Sequence, residues 1–168
     1  MSNKKFIESI PVGPLAIVAL PGSKALGDKV DAYISGWRSE RLEAKESPIT
    51  FKGYVKDSYL LNVSVPRFGT GEAKCALKDT VRGCDLYIID DVTNHSIEYT
   101  VCGQKNHMSP DDHYADIKRV IAAASGKARK ITVIMPFLYE SRQHRRSSRE
   151  SMDCAVMLQE LVNMGVDN

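Results

Sequence analysis

The chain has 168 residues, 43% of them hydrophobic and 26% charged, with a formal net charge of +2. That length suits one domain around one core. The near balance of charge argues against a nucleic-acid binder, which builds affinity from many phosphate contacts and carries a larger basic excess. No apolar run reaches the ~18 residues a membrane span needs. The opening "MSNKKFIESI" has no apolar core of a signal peptide, so a cytoplasmic protein is expected.

"LAIVAL" (15–20) reads as a buried strand, and "PGSKALG" turns it. Leu26, Val30, Tyr33, Ile34 and Trp37 then recur at helical spacing. "RSERLEAKES" reads as an exposed connection, "YLLNVSVPRF" as a strand with Pro66 near its end, and "AKCAL" as a short alternating strand. "DLYIIDD" (85–91) is a continuous apolar run closed by two aspartates, the signature of a strand inside a parallel sheet. Residues 92–108 show no clear period and read as an inserted loop with room for a short hairpin.

A well-marked helix follows. Ser109 fits its N-cap, Pro110 its first position and Asp112 its third, a capping box, with Gly126 as the stop. "KITVIMPF" (130–137) is another buried strand. Met152, Ala155, Val156, Leu158, Leu161 and Val162 form the apolar stripe of a last helix, ended by Gly165. The alternation of strands and helices implies an α/β fold with a mostly parallel sheet flanked by helices in three layers. Ligands in such sheets bind beyond the carboxyl ends of the strands. The chain ends at "GVDN", where an α/β fold normally feeds another strand, so it reads as cut short.

Four stretches carry chemistry. "RQHRRSSR" places Arg142, Arg145, Arg146 and Arg149 within eight positions, forked donors suited to phosphate oxygens. Ser147 and Ser148 add hydroxyls just before the last helix, whose start also favours an anion. A phosphate site, a solvated basic loop and a nucleic-acid contact all fit this spacing. "RFGTGEAK" (67–74) sets two glycines around Thr70; it is not a P-loop, and a bare hairpin turn explains it almost as well. "TVRGCD" (80–85) is a turn into a buried strand, its arginine on the surface. His107, Asp111, Asp112 and His113 suggest a metal, but Asp112 is committed as a cap and no H-x-x-x-H pair exists, so no metal site is assigned. His95 and His107 read as loop residues. Cys75, Cys84, Cys102 and Cys154 form no C-x-x-C pair and read as free thiols.

In order, "RFGTGEAK", "DTVRGCDLYII", a helix and "ITVIMPFLYESRQHRRSSRES" resemble the N-terminal half of ribose-phosphate pyrophosphokinase, or PRPP synthetase. The resemblance runs from about residue 12 to 168, apart from the 92–108 insert. It implies a phosphoribosyltransferase-like fold, with 1–168 as the N-terminal domain of a longer two-domain enzyme. Such enzymes transfer the β,γ-diphosphoryl group of Mg·ATP to ribose 5-phosphate, giving PRPP and AMP for nucleotide biosynthesis. By position, Phe68, Thr70 and Glu72 match a loop that holds adenine and reaches in from a neighbouring subunit. Arg142, Gln143, His144 and Arg145 match ATP-binding positions, with His144 standing where the family has Asp. Thr80, Arg82, Ser148 and Arg149 match an allosteric site for phosphate and nucleotide such as ADP. No catalytic residue falls within this stretch. The family implies Mg²⁺ held mainly through ATP, at least a dimer, and no nucleic acid or membrane partner. The chain alone is expected to be inactive; the alternative is a non-catalytic, nucleotide-sensing regulatory subunit related to these enzymes.

Overall fold

The computed structural model describes residues 11–44, 51–124 and 126–168. Three parallel strands form the central sheet: β1 (Leu15–Ala19), β4 (Asp85–Ile89) and β7 (Lys130–Ile134), in the order β1-β4-β7. β1 and β4 are apolar at nearly every position because helices cover both faces of the sheet there, whereas β7 is buried at Ile131 and exposed at Ile134. The register pairs Leu15 with Asp85 and Asp85 with Lys130. Residues 59–61 add a rung outside β1, where the Leu61 N–H donates to the Ile17 carbonyl (2.8 Å). Asp167 and Asn168 add another outside β7, where the Val133 N–H donates to the Asn168 carbonyl (2.8 Å).

Alternate side chains of each strand face opposite layers. Ala16, Val18, Leu86 and Ile88 point to α2 (Pro110–Ala124) and α3 (Asp153–Asn163), where they meet Ile117, Val120, Ile121, Met157 and Leu161. Ile17 and Ile89 point the other way, to Tyr59 and to Val30 and Ile34 of α1 (Lys24–Glu43). The architecture is therefore the three-layer α/β arrangement expected, and each fully buried aliphatic contributes about 1.5–3 kcal/mol.

The capping box of α2 forms as read. The Asp112 N–H donates to Ser109 Oγ (3.1 Å), and the Ser109 N–H donates to Asp112 Oδ2 (2.9 Å). Gly126 takes φ 65° where the helix ends, a left-handed turn that glycine tolerates.

Five expectations need correction. Residues 38–43 of the "exposed connection" are the last turns of α1, because nothing in that charged stretch breaks a helix; 45–47 lie outside the described residues. The α1 stripe does not face the sheet as a whole: Tyr33 is 73% exposed, and Leu26 and Trp37 are exposed too. The buried positions are Gly27 and Asp31. Gly27 sits against Ala19 so closely that no Cβ fits, and Asp31 accepts the Tyr59 N–H (2.6 Å). On α3 the buried line is Cys154, Met157 and Leu161, while Val156, Leu158 and Val162 face outward. The strand read over 130–137 stops at Ile134. The strand-like 59–68 stretch is interrupted: only Val63–Ser64 forms a ladder, β2, against β3 (Ala76–Leu77), while Leu60 and Arg67 make isolated bridges to Ile17 and Ala73.

The 92–108 insert holds a hairpin, β5 (Glu98–Val101) and β6 (Gln104–His107), so His107 is a strand residue. The cysteines are free, with Cys84 and Cys154 buried and Cys102 exposed.

Candidate functional site

The chain leaves β1 through α1 to the outer rung at 59–61, then returns to the other side of β1 to form β4. The strand order thus reverses at β1, and the carboxyl ends of the strands are where such sheets bind ligands. Two clefts lie at that end. The larger, about 670 Å³, is bordered by Pro21, Ser23, Lys24 and Asp91. Its one cation, Lys24, is already paired with Asp28 at 2.7 Å. The smaller, about 410 Å³, lies between the β4 and β7 ends and is bordered by Thr93, His95, Phe137, Tyr139 and Arg142. For an anion the smaller cleft is the better site, because Arg142, the first arginine of the loop, borders it and forms no ion pair among the described residues.

The neck of that loop is built by four contacts and one tight turn. Tyr139 stacks on Tyr114 (centroids 4.5 Å apart) and donates its hydroxyl to Asp111 (2.6 Å), pinning the chain over α2. Glu140 turns it with φ 54°, a conformation uncommon outside glycine. The Gln143 side-chain amide donates to the Ser151 carbonyl (2.8 Å), and the Cys154 N–H donates to the Gln143 carbonyl (3.3 Å). Residues 144–150 therefore form an exposed excursion closed at Gln143. Arg142, Arg145, Arg146 and Arg149 are all exposed and form no ion pair among the described residues. His144 Nδ1 lies 3.1 Å from the Ser141 carbonyl.

Ser147 and Ser148 do not line the helix start, as their place in the sequence suggested. α3 begins at Asp153, and Ser147 instead donates to Glu150 (3.1 Å), whose carboxyl it holds below the usual range.

The loop after Arg67 is a tight turn. The Phe68 N–H donates to the Glu72 carbonyl (2.7 Å), and the Gly71 N–H to the Phe68 carbonyl (2.9 Å). Thr70 Oγ1 donates to Glu72 Oε2 (2.9 Å), and the Phe68 ring is 49% exposed. Thr80 and Arg82 lie in the turn before β4, at the amino ends of the strands; Thr80 Oγ1 accepts the Arg82 N–H (3.3 Å). Within one chain they stand at the opposite end of the sheet from Ser148 and Arg149, which follow the carboxyl end of β7.

Two buried charge clusters escaped the sequence reading. The first is Arg67, whose Nη2 lies 2.8 Å from Asp116 and whose guanidinium sits 4.9 Å over the Tyr99 ring. Asp116 is also held by Arg119 at 2.6 Å. The second is His113, read above beside a possible metal cluster. It is fully buried, its Nδ1 2.9 Å from Asp90 Oδ2 and its Nε2 3.0 Å from the Asn94 carbonyl. Both ring nitrogens face oxygen atoms, an arrangement that favours the doubly protonated ring. Burial lowers the His113 pKa, but Asp90 and Asn94 outweigh it and raise it. Burial also raises the Asp90 carboxyl, against the pull of His113; the doubly bonded ring makes the His113 shift the one that governs. A side chain at Gly22 would meet Asp90 Oδ1 at 2.5 Å, so the β1–α1 turn must close on this pair without a Cβ. The only local signal was the helical i, i+3 spacing of His113 and Asp116 on α2.

Sheet order, carboxyl-end clefts and cationic loop define an α/β domain of the phosphoribosyltransferase-like type. Residues 15–165 match the family model for the N-terminal domain of ribose phosphate pyrophosphokinase, and the chain belongs to that family. It is 32% identical over 108 residues to ribose-phosphate pyrophosphokinase of Haemophilus ducreyi, covering 63% of this chain and 30% of that protein. It is 32% identical over 82 residues to ribose-phosphate pyrophosphokinase 5 of Schizosaccharomyces pombe, covering 48% of this chain and 20% of that protein. The chain thus spans less than a third of these relatives. The crystal structure of phosphoribosylpyrophosphate synthetase from Mycobacterium smegmatis has the same fold, with a TM-score of 0.61 over 91% of this chain and 40% of that one, at 18% identity. Among the described residues no helix is long and apolar enough to cross a membrane.

Proposed function

We propose that this chain is the ATP-side domain of an enzyme that transfers the β,γ-diphosphoryl group of Mg·ATP to the anomeric hydroxyl of ribose 5-phosphate, releasing AMP. The observation that carries this reading is the exposed loop after β7, whose four arginines form no ion pair among the described residues and whose first, Arg142, borders a cleft at the carboxyl ends of the strands. Diphosphoryl transfer needs positioning and charge neutralisation more than covalent chemistry. Arg142 and Arg145 would hold the phosphates, with His144 beside them, while the Mg²⁺ rides on the phosphate oxygens. Gln143 would act mainly by fixing the neck of the loop, since its amide is committed to Ser151.

Phe68 would stack on adenine, with Thr70 and Glu72 at the base edge. Their side chains bond each other rather than the rest of the domain, so the loop presents them outward, as a site shared with a second copy requires. Thr80, Arg82, Ser148 and Arg149 would gather only in an assembly of at least two copies, where phosphate or ADP binds between them. The sugar and the catalytic loop belong to a second half, so the chain by itself binds nucleotide without turnover.

The test is calorimetric titration of Mg·ATP into the chain and its Arg142→Ala variant. A guanidinium–phosphate bond is worth about 1.5–3 kcal/mol, so affinity should fall about 10- to 100-fold. Unchanged affinity would remove Arg142 from the site.

A further inference from the structure

The β5–β6 hairpin does not simply hang from the surface. Its turn residues Cys102 and Gly103 both take positive φ, 49° and 80°, the geometry of a tight two-residue hairpin turn. Asn, Asp or Gly normally fills the position of Cys102. The twist brings the Cys102 N–H to the Gly69 carbonyl at 3.2 Å, and its thiol lies 3.6 Å from the same oxygen. Gly71, with φ 92°, is overlaid by the hairpin: a Cβ there would stand 3.2 Å from Val101 Cγ2 and 3.8 Å from the Tyr99 ring. Tyr99 in turn lies against the Arg67 guanidinium and donates its hydroxyl to Asp112 Oδ2 (3.2 Å) in the capping box of α2. The hairpin therefore connects the start of α2 to the turn at 68–72, a surface loop that otherwise rests on bonds within itself, two backbone bonds and the Thr70–Glu72 side-chain bond.

We propose that this hairpin is the brace that sets the shape of the 68–72 loop, making Tyr99, Val101 and Cys102 positioning residues for recognition of the purine base. The proposal rests on the reading of that loop as the adenine-binding element. A brace within the same chain fixes the turn before nucleotide arrives, which cuts the ordering cost of binding. The hairpin meets the phosphate side only at its base, where His107 Nδ1 lies 2.7 Å from the carbonyl of His95 on the border of the cleft; its other contacts go to the loop, Arg67 and α2.

The test uses two variants of the full chain. In one, 98–107 is replaced by Asn-Gly; the ends can join because the Met108 N–H already donates to the Ile97 carbonyl (2.8 Å). In the other, Val101→Ala trims the side chain that overlies Gly71. Amide hydrogen exchange is followed at Phe68 and Gly71, and affinity is measured for Mg·ATP and for Mg·tripolyphosphate, which has no base. Both variants should speed exchange at the two amides, about tenfold for the replacement, with the central strands unaffected. Affinity for Mg·ATP should fall about tenfold in the replacement while tripolyphosphate binding is unchanged. Exchange at wild-type rates in both variants overturns the brace, whether or not nucleotide binds. Equal weakening of ATP and tripolyphosphate overturns the positioning role. A wild-type chain that does not prefer ATP to tripolyphosphate refutes the adenine reading instead, and leaves the exchange result to decide the brace.

Discussion

Arg67→Ala should destabilise the fold by about 3 kcal/mol, the lower part of the ~3–5 kcal/mol lost when one member of a buried ion pair is removed. Arg67 and Asp116 are both almost completely buried, 2.8 Å apart. Without the guanidinium, one oxygen of Asp116 has no cation in a dry environment, while Arg119 keeps the other at 2.6 Å. That remaining bond is why the lower figure applies. The Tyr99 ring also loses its cation, so the hairpin should loosen. Urea unfolding checks the size of the loss. The double replacement Arg67→Met with Asp116→Leu should recover most of it, because a well-packed apolar pair of similar volume removes the stranded charge. A loss under about 1 kcal/mol for Arg67→Ala would mean that water reaches Asp116.

His113→Leu should cost a similar amount at neutral pH, about 3–5 kcal/mol, by leaving Asp90 buried with neither of its oxygens paired. The wild-type protein carries a pH signature of the same pair. The folded pKa of His113 is raised above its ordinary value, so the folded state binds the proton more tightly than the unfolded chain. The stabilisation is complete below the ordinary histidine pKa of about 6.5 and is lost as pH rises through the higher folded value. Melting temperature should therefore fall from pH 6 toward the alkaline side, and that slope should vanish in His113→Leu. A slope of the opposite sign in the wild type would show that the ring is held neutral.

The parts of the fold legible in the sequence are those whose cause is local. β1, β4 and β7 are mostly apolar stretches, and α2 carries its own start and stop in Ser109, Asp112 and Gly126. The orientation of α1 was not legible, because the helix approaches the sheet at a glycine and an aspartate rather than at its apolar residues. Gly27 is buried because it is small against Ala19, and Asp31 because it serves the Tyr59 amide. Neither reason shows in periodicity. α3 is apolar on two sides, and only packing against α2 and the sheet decides which side is covered. The arginine loop and the 68–72 turn were visible as composition. Their supports were not: Asp116 lies 49 positions from Arg67, and Asp90 lies 23 from His113. The sequence allowed for a hairpin in 92–108 but did not place it, because only Tyr99 and Val101 of β5 alternate, β6 is polar on both faces, and the turn uses Cys102 where a marker residue would stand.

The central claim is that the anion at the arginine loop is a nucleotide. Titration of Mg·ATP into the 168-residue chain, with single-stranded RNA and inorganic phosphate at the same ionic strength, tests it most directly. The account predicts saturable binding of Mg·ATP, competition by ADP, and no comparable affinity for RNA. RNA binding that falls steeply with salt, with ATP no better than any other polyanion, would contradict it.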